Sequence, residues 1–496
     1  MLSALLCWRG VVVFWIVYGL AHASLRLGVS RTLSIDDARA NELTQTFAFG
    51  YQIRQPPLYE WLLWSVQQAL GPGIESHLLV RYSLIVCLGL ATFGAVRAAL
   101  KDDRWAAAAS YSLVLTYPVG WTFHEWATQT LLLCIACMLT IHAAIRFIEG
   151  PGIRQAVLLG LAIAVGMYAK FSFPLFLGGL LLAAFSLRET RKRLADPRLL
   201  ISLAIAAIAL SPYFIWVLQV RGDVVADLSS HLVQSRQSHL ARAAYGLWRL
   251  AVSVPTFLLP WIALVALGAP SAFMPPVADA PAPSMAERLA LRTMLFAFAL
   301  AAVGIAAVGA TSVAVRYMHP ILVIAPVYVF ARIARLAPGE ERIRQYATFS
   351  VAMAIVIFTV RFAAVIDNPL TRRTERAFLL PYAGLVDALK ARGIEDGTVI
   401  APDVREAGNL RAVLPNLRVV AGDSLRVKRV PRRASDERSC VLVWIQRHDA
   451  EARRMAPFDP AAVETVEVRE GPGGLITTRS ATWSMVRVDP NSQACR

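Results

Sequence analysis

Long apolar runs alternate with short polar connectors through the first three quarters of the chain. They fall at roughly 8–28, 77–100, 104–120, 126–148, 155–170, 172–187, 199–219, 247–268, 290–310, 314–331 and 346–366. A helix that crosses a bilayer needs about 20 predominantly apolar residues, and fewer where it is broken inside the protein. The pattern therefore predicts a polytopic α-helical membrane protein of about 11 spans. The stretch 155–187 is divided at Lys170–Pro174, where a charge and a proline interrupt the run. The first run, Val11 to Ala23, lacks a convincing small-residue cleavage site and is read as a retained helix.

After residue 366 the period changes. Thr398–Ala401, Arg418–Val420, Val441–Ile445, Thr465–Val468 and Ser484–Val488 read as short buried strands, and Pro381–Ala391 and Val404–Val413 as helices. Residues 367–496 are expected to form a soluble α/β domain after a transmembrane domain over 1–366. Gly471-Pro472-Gly473-Gly474 is read as a turn, because proline interrupts it and no helix follows as in a phosphate loop.

The basic connectors orient the chain. Lys101–Arg104, Arg188–Arg198 and Arg332–Arg344 are the densest, and the positive-inside rule puts all three in the cytoplasm. The same register puts residues 29–76, 219–246 and the tail on the far side. The first far-side loop is long for a connector. Ser34 can cap a short helix bearing Asp36, Asp37 and Glu42. From Pro56, the residues Leu58, Trp61, Leu62, Trp64 and Ser65 predict a second, amphipathic helix suited to the bilayer interface.

Composition agrees with this plan. The chain has 496 residues, 56% of them apolar and only 17% charged, with a mean hydropathy of +0.52. Ordinary soluble domains are about 25% charged. The net charge of +16 would suit a nucleic-acid partner, but the basic residues lie between apolar runs and membrane orientation accounts for them. Six cysteines are too few for a disulfide scaffold, and Cys134/Cys137 read as one face of an apolar helix. Cys440 and Cys495 lie in the tail, where either a disulfide or two free thiols fits the sequence.

Asp36-Asp37, just past the first span, is the leading candidate for chemistry. An arbitrary acidic pair is most often solvated, but a carboxylate at the membrane surface can also take a proton from an incoming hydroxyl or amine. Mutual repulsion would raise the pKa of one of the two. Lys170 is one of five lysines and sits inside an apolar run. It either contacts an anion or snorkels to the surface. Arg316 opens a late span against the charge bias, which suits a phosphate partner or an ion pair. His124-Glu125, with Thr128 and Gln129 after it, opens the fourth span and reads as interfacial hydrogen bonding in preference to a metal site. His231 and His239 flank Arg236 in a solvated segment.

These residues together resemble a known family. Asp36-Asp37 followed by Gln55-Pro56-Pro57-Leu58-Tyr59-Glu60-Trp61-Leu62 resembles the first-loop signature of the family 39 and 83 glycosyltransferases, the relatives of protein O-mannosyltransferases and aminoarabinose transferases with the GT-C fold. Arg316-Tyr317-Met318-His319-Pro320 is similar to their Arg-Tyr-x-x-Pro, and Gly166-Met167-Tyr168-Ala169-Lys170-Phe171 to a lysine-bearing segment. The resemblance covers most of the chain. It implies a bacterial inner-membrane enzyme with a periplasmic tail. The enzyme would move a sugar from a polyprenyl-phosphate donor to a lipid, glycan or protein acceptor in the envelope. Asp36 matches the catalytic aspartate, and Asp37 replaces a residue that is usually Glu. Arg54, Lys170, Arg316, Tyr317, His124 and Glu125 become candidate substrate-binding residues, with a divalent metal possible. Relatives often carry an acidic residue or lysine just before Pro-Pro, where this chain has Arg54-Gln55. A secondary transporter would instead place its ionisable residues at mid-membrane. A non-catalytic envelope scaffold would keep its function without Asp36.

Overall fold

The computed structural model describes residues 5–126, 129–220, 238–259, 261–275, 279–365, 380–456, 458–470 and 479–495. Gly471–Gly474, Thr128, His231 and Arg236 lie outside the described residues. Among those described, six helices are long and apolar enough to cross a membrane: Trp8–Val29, Ile74–Leu100, Gln129–Glu149, Leu199–Gln219, Met285–Val308 and Glu340–Ala364. Three bent pairs raise the number to nine if each is one span: Phe173–Ser186 with Arg188–Leu194, His239–Leu258 with Trp261–Gly268, and Val315–Leu322 with Ala325–Leu336. Ile153–Ala169 is a shorter apolar helix of 17 residues.

The chain breaks at Lys170, as the sequence suggests. Lys170 leaves the helix in an extended conformation, and Pro174 sits in the first turn of the next helix. The 104–120 run does not form one helix. Asp103–Ser112 gives way to a 3-10 turn over Leu113–Leu115, and Thr116 is extended before the single turn Tyr117–Gly120. Pro118 supplies no amide N–H to continue the helical ladder, so it sits in the first turn of a new helix and not inside the old one.

The chain folds into two compact units, each discontinuous in sequence. The first comprises Met1–Gly19, Ile53–Leu58 and Ser83–Ile357. Small residues let its helices approach closely. A Cβ on Gly89 would lie 2.1 Å from Trp15 Nε1, and the Trp15 indole donates to Ser110 Oγ at 2.9 Å. The Phe173–Ser186 helix packs on Met285–Val308 in the same way, Gly179 facing Ala297.

The second unit comprises Leu20–Gln52, Tyr59–Tyr82 and Phe358–Arg496. Its sheet has five strands: β1 (Thr398–Ala401), β2 (Arg418–Ala421), β3 (Cys440–Ile445), β4 (Glu464–Glu470) and β5 (Arg479–Arg487). They are ordered β2-β1-β3-β5-β4, with β1 parallel to β2 and β3 and the β3–β5 and β5–β4 pairs antiparallel. Alternation along the strands loads both faces. Val399, Val419, Val441, Val443, Trp483 and Met485 pack on one side with the helices Tyr382–Lys390 and Val404–Val413, while Ile400, Leu442, Trp444 and Val486 pack on the other. A disulfide joins Cys440 to Cys495 on that second face. The two helices and all five strands fall within a few residues of their sequence positions.

The amphipathic helix runs Leu58–Leu70, longer than the sequence suggests. Phe47 rests on its Trp61 and Trp64, and Phe47, Phe49 and Leu62 stay exposed. That aromatic surface is what an interfacial helix requires.

Candidate active site

Asp36 and Asp37 open the helix Ile35–Leu43, whose N-cap Ser34 accepts a hydrogen bond from the Asp37 amide. Successive helical residues point about 100° apart, so the two carboxylates meet different surroundings. Asp37 is buried. Arg81 Nη2 donates to both of its oxygens, at 2.6 and 2.7 Å, Ser34 Oγ donates to Oδ2 at 2.9 Å, and His77 Nδ1 lies 3.6 Å away. Burial alone would raise the Asp37 carboxyl, but the Arg81 guanidinium and His77 outweigh it and hold the carboxyl well below the usual carboxylate range. The raised pKa expected of one member of the pair is therefore absent at Asp37. Asp36 is half-exposed, with Arg39 at 3.7 Å. Tyr59 is fully buried, and the charges of Asp36, Asp37, Glu60 and Arg81 all act on its hydroxyl.

On the same helix a carboxyl does rise at Glu42, beyond Asp37. Burial pushes it up to about 7, against the pull of a hydrogen bond from Ser424 and the charges of Arg426 and Arg411. Ser424 Oγ donates to Glu42 at 3.0 Å. The tail thus braces the first loop within the second unit. Arg411 donates to the Asn41 carbonyl, to Thr44 Oγ1 and the Thr44 carbonyl at 2.9 Å, and to Gln67 Oε1 at 3.0 Å. Asn409 accepts from the Leu33 amide at 2.7 Å. Gln45 exchanges two hydrogen bonds with the backbone of Val419. Gly408 faces the Ala38 carbonyl so closely that a Cβ would lie 2.0 Å from its oxygen. Sequence reasoning missed Arg81, Asn409 and Arg411, because their partners lie 44 to 376 residues away. The one local signal is at Arg81, a cation inside an otherwise apolar helix.

The first unit holds the other candidates. Lys170 Nζ donates to Thr130 Oγ1 at 2.7 Å, and its charge acts on the His319 ring. His319 lies stacked on Phe123 and edge-on to Phe257. Its Nδ1 donates to the Arg316 carbonyl at 2.6 Å, leaving Nε2 as the acceptor nitrogen. Arg316 is exposed, with its guanidinium 5.4 Å from the Tyr317 ring. Lys170 and the Arg-Tyr-x-x-Pro segment therefore come together through His319, a member of that segment not singled out from sequence. His124 is buried, with Nε2 2.9 Å from the Tyr18 hydroxyl, while Glu125 is half-buried beside it. Arg54 is half-buried in the turn before Pro56. Among the described residues no cluster of three or more His, Cys, Asp or Glu side chains is arranged to hold a metal.

A family model described as dolichyl-phosphate-mannose-protein mannosyltransferase matches residues 54–216. The chain is 26% identical over 411 residues to the lipopolysaccharide core galacturonosyltransferase RgtB of Rhizobium johnstonii, covering 82% of this chain and 81% of that protein. It is 27% identical over 437 residues to RgtA of the same organism, covering 86% and 85%. The crystal structure of ArnT from Cupriavidus metallidurans bound to undecaprenyl phosphate superposes with a TM-score of 0.59 at 13% identity, over 96% of this chain and 98% of that one. The chain shares the GT-C fold of ArnT and is similar in sequence to these lipopolysaccharide glycosyltransferases and, over residues 54–216, to the protein mannosyltransferases. It is a multi-pass membrane protein with a small C-terminal sheet.

Proposed function

We propose that this GT-C protein transfers a sugar from a polyprenyl-phosphate donor to an envelope acceptor on the periplasmic side, with Asp36 as general base. The observation that carries the reading is the unequal pair: Asp37 is committed to Arg81, while Asp36 remains half-exposed. In the proposed step the acceptor hydroxyl oxygen bonds to the sugar's anomeric carbon and gives its proton to Asp36. The bond from that carbon to the phosphate oxygen breaks, and its electron pair leaves with the polyprenyl phosphate. Phosphate departs carrying charge, so fixed cations lower the barrier. Lys170 and Arg316 are assigned to the donor phosphate, with His319 orienting the segment that holds Arg316. Tyr317, His124, Glu125 and Arg54 are assigned supporting contacts to substrate. No step is routed through a metal.

The names of RgtA and RgtB make galacturonic acid and the lipopolysaccharide core the first donor sugar and acceptor to assay. The purified chain is incubated with polyprenyl-phosphate galacturonic acid and core acceptor, and the product is read by mass spectrometry. Asp36→Asn should abolish transfer while donor binding stays at the wild-type level. Lys170→Ala and Arg316→Ala should each weaken donor binding by about 1.5–3 kcal/mol, the worth of a charge-assisted contact. Wild-type turnover in Asp36→Asn would remove the base assignment. Unchanged donor affinity in both cation variants would remove the phosphate assignment.

A further inference from the structure

A cavity of about 580 Å³ lies within the first unit and is lined by Phe93, Arg97, Lys101, His142, Arg146 and Arg154 among others. It sits where the helix Gln129–Glu149 ends and Ile153–Ala169 begins. Thr130, the partner of Lys170, lies at the other end of Gln129–Glu149. Sixteen residues of helix separate Thr130 from Arg146, about 24 Å at 1.5 Å per residue. The same length of Ile153–Ala169 separates Arg154 from Lys170. The cavity therefore opens at the membrane face opposite Lys170 and is distinct from the donor-phosphate assignment.

Its chemistry is amphipathic. Phe93, Ala98, Ala143 and Leu158 supply apolar wall, and four cations supply the rim. Arg97 is paired with Asp103 at 2.6 Å, and Glu149 serves both Lys101 at 2.5 Å and Arg146 at 3.9 Å. Two carboxylates against four cations leave the rim positive. Arg154 has no carboxylate partner among the described residues. It stands in the first turn of its helix, where the macrodipole disfavours a cation and favours an anion. That turn carries no acidic residue, and its N-cap, Gly152, makes no side-chain cap. Lys101 adds a further sign. It closes the helix Ile74–Leu100 with φ 60°, the one left-handed residue other than glycine among those described. Glycine is the ordinary occupant of that position, so a lysine held there keeps its cation at the cavity at some backbone cost.

We propose that this cavity is a binding site for the phosphate head group of an anionic diacyl phospholipid. A positive rim, an uncapped helix start and apolar walls at the end of membrane helices are what such a head group and the base of its chains require. The site serves retention of the lipid in its own leaflet and takes no part in sugar transfer.

The test uses the full chain purified in detergent and offered phosphatidylglycerol, phosphatidylcholine and undecaprenyl phosphate, with retained lipid read by native mass spectrometry. The wild type should retain phosphatidylglycerol over phosphatidylcholine. Arg154→Gln should lower that preference about tenfold, the loss of one charge-assisted contact. Leu158→Trp disturbs no ion pair, narrows the cavity from its apolar side and should lower the preference similarly. The charge-matched change Arg191→Gln, outside the cavity, should leave it intact. No preference in the wild type, or an undiminished preference in both cavity variants, overturns the proposal. So does loss of undecaprenyl phosphate retention with phosphatidylglycerol unaffected, which would assign the cavity to the polyprenyl carrier instead.

Discussion

Asp37 is buried with Arg81 forked onto both of its oxygens, so removing its charge strands a buried guanidinium. Breaking such a pair typically costs about 3–5 kcal/mol. Asp37→Asn should therefore lower the unfolding temperature of the purified protein, where Asp36→Asn should leave it near wild type and remove activity only. The pH dependence follows from the directions. The folded Asp37 carboxyl lies below its unfolded value of 3.8, so its stabilisation is complete above that pH and is lost as pH falls through and below it. Glu42 has the opposite sign. Its folded value of about 7 lies above 4.5, so the fold prefers it protonated. Its contribution is fully present below pH 4.5 and is lost as pH rises towards 7. Glu42→Gln should flatten that fall, on the order of 2–3 kcal/mol, measured as unfolding temperature from pH 4.5 to 8. An unaltered slope would mean that Arg411 and Arg426 keep Glu42 ionised in the fold.

At the scale of elements, the Asp36 helix is held less by its own sequence than by what it packs on. Ile35–Leu43 has only nine residues and lacks an amphipathic face, and isolated helices that short are marginal in water. Val404–Val413 supplies the missing support: Asn409 reaches the Leu33 amide, and Arg411 gathers the Asn41 and Thr44 carbonyls with Gln67. Burial lowers the Arg411 pKa to about 9, yet leaves it charged at neutral pH. Arg411→Met keeps the bulk and removes five hydrogen bonds, stranding buried acceptors at about 1–3 kcal/mol each. The expected result is a lower unfolding temperature together with reduced kcat, since the helix carrying Asp36 loses its brace. A variant that melts early but turns over normally would separate the brace from catalysis.

For the whole molecule, the tail fold and its compartment are linked through Cys440 and Cys495. The bond spans a sequence separation of 55, worth roughly 4 kcal/mol by loop entropy before strain is subtracted. Cys495 is fully buried, and its carbonyl accepts from Arg418 at 2.7 Å. Cys495→Ser should lower the unfolding temperature of the sheet and leave sugar transfer measurable. Such a bond persists in an oxidising compartment, so a reporter active only in the periplasm should work when fused after residue 496. A silent reporter, with a cytoplasmic one active in its place, would reverse the orientation.

What the chain determines by itself is whatever depends on local pattern. Apolar runs of bilayer length, the break at Lys170, the Ser34 cap and the strands and helices of the tail are all legible, because helix and strand periods and capping chemistry act over a few residues. The Asp36-Asp37 and Arg316–Pro320 motifs are legible for the same reason, and they name the residues of interest. Which aspartate is locked and which is left half-exposed is not local. It depends on Arg81, 44 residues away, and on a helix turn that points adjacent side chains apart. The joining of the first loop to the tail through Asn409, Arg411 and Val419, and the gathering of Lys170 with His319, also required the folded chain. Hydrogen bonds and charges between distant segments leave no periodic trace in sequence, and only tertiary structure brings their two halves within reach.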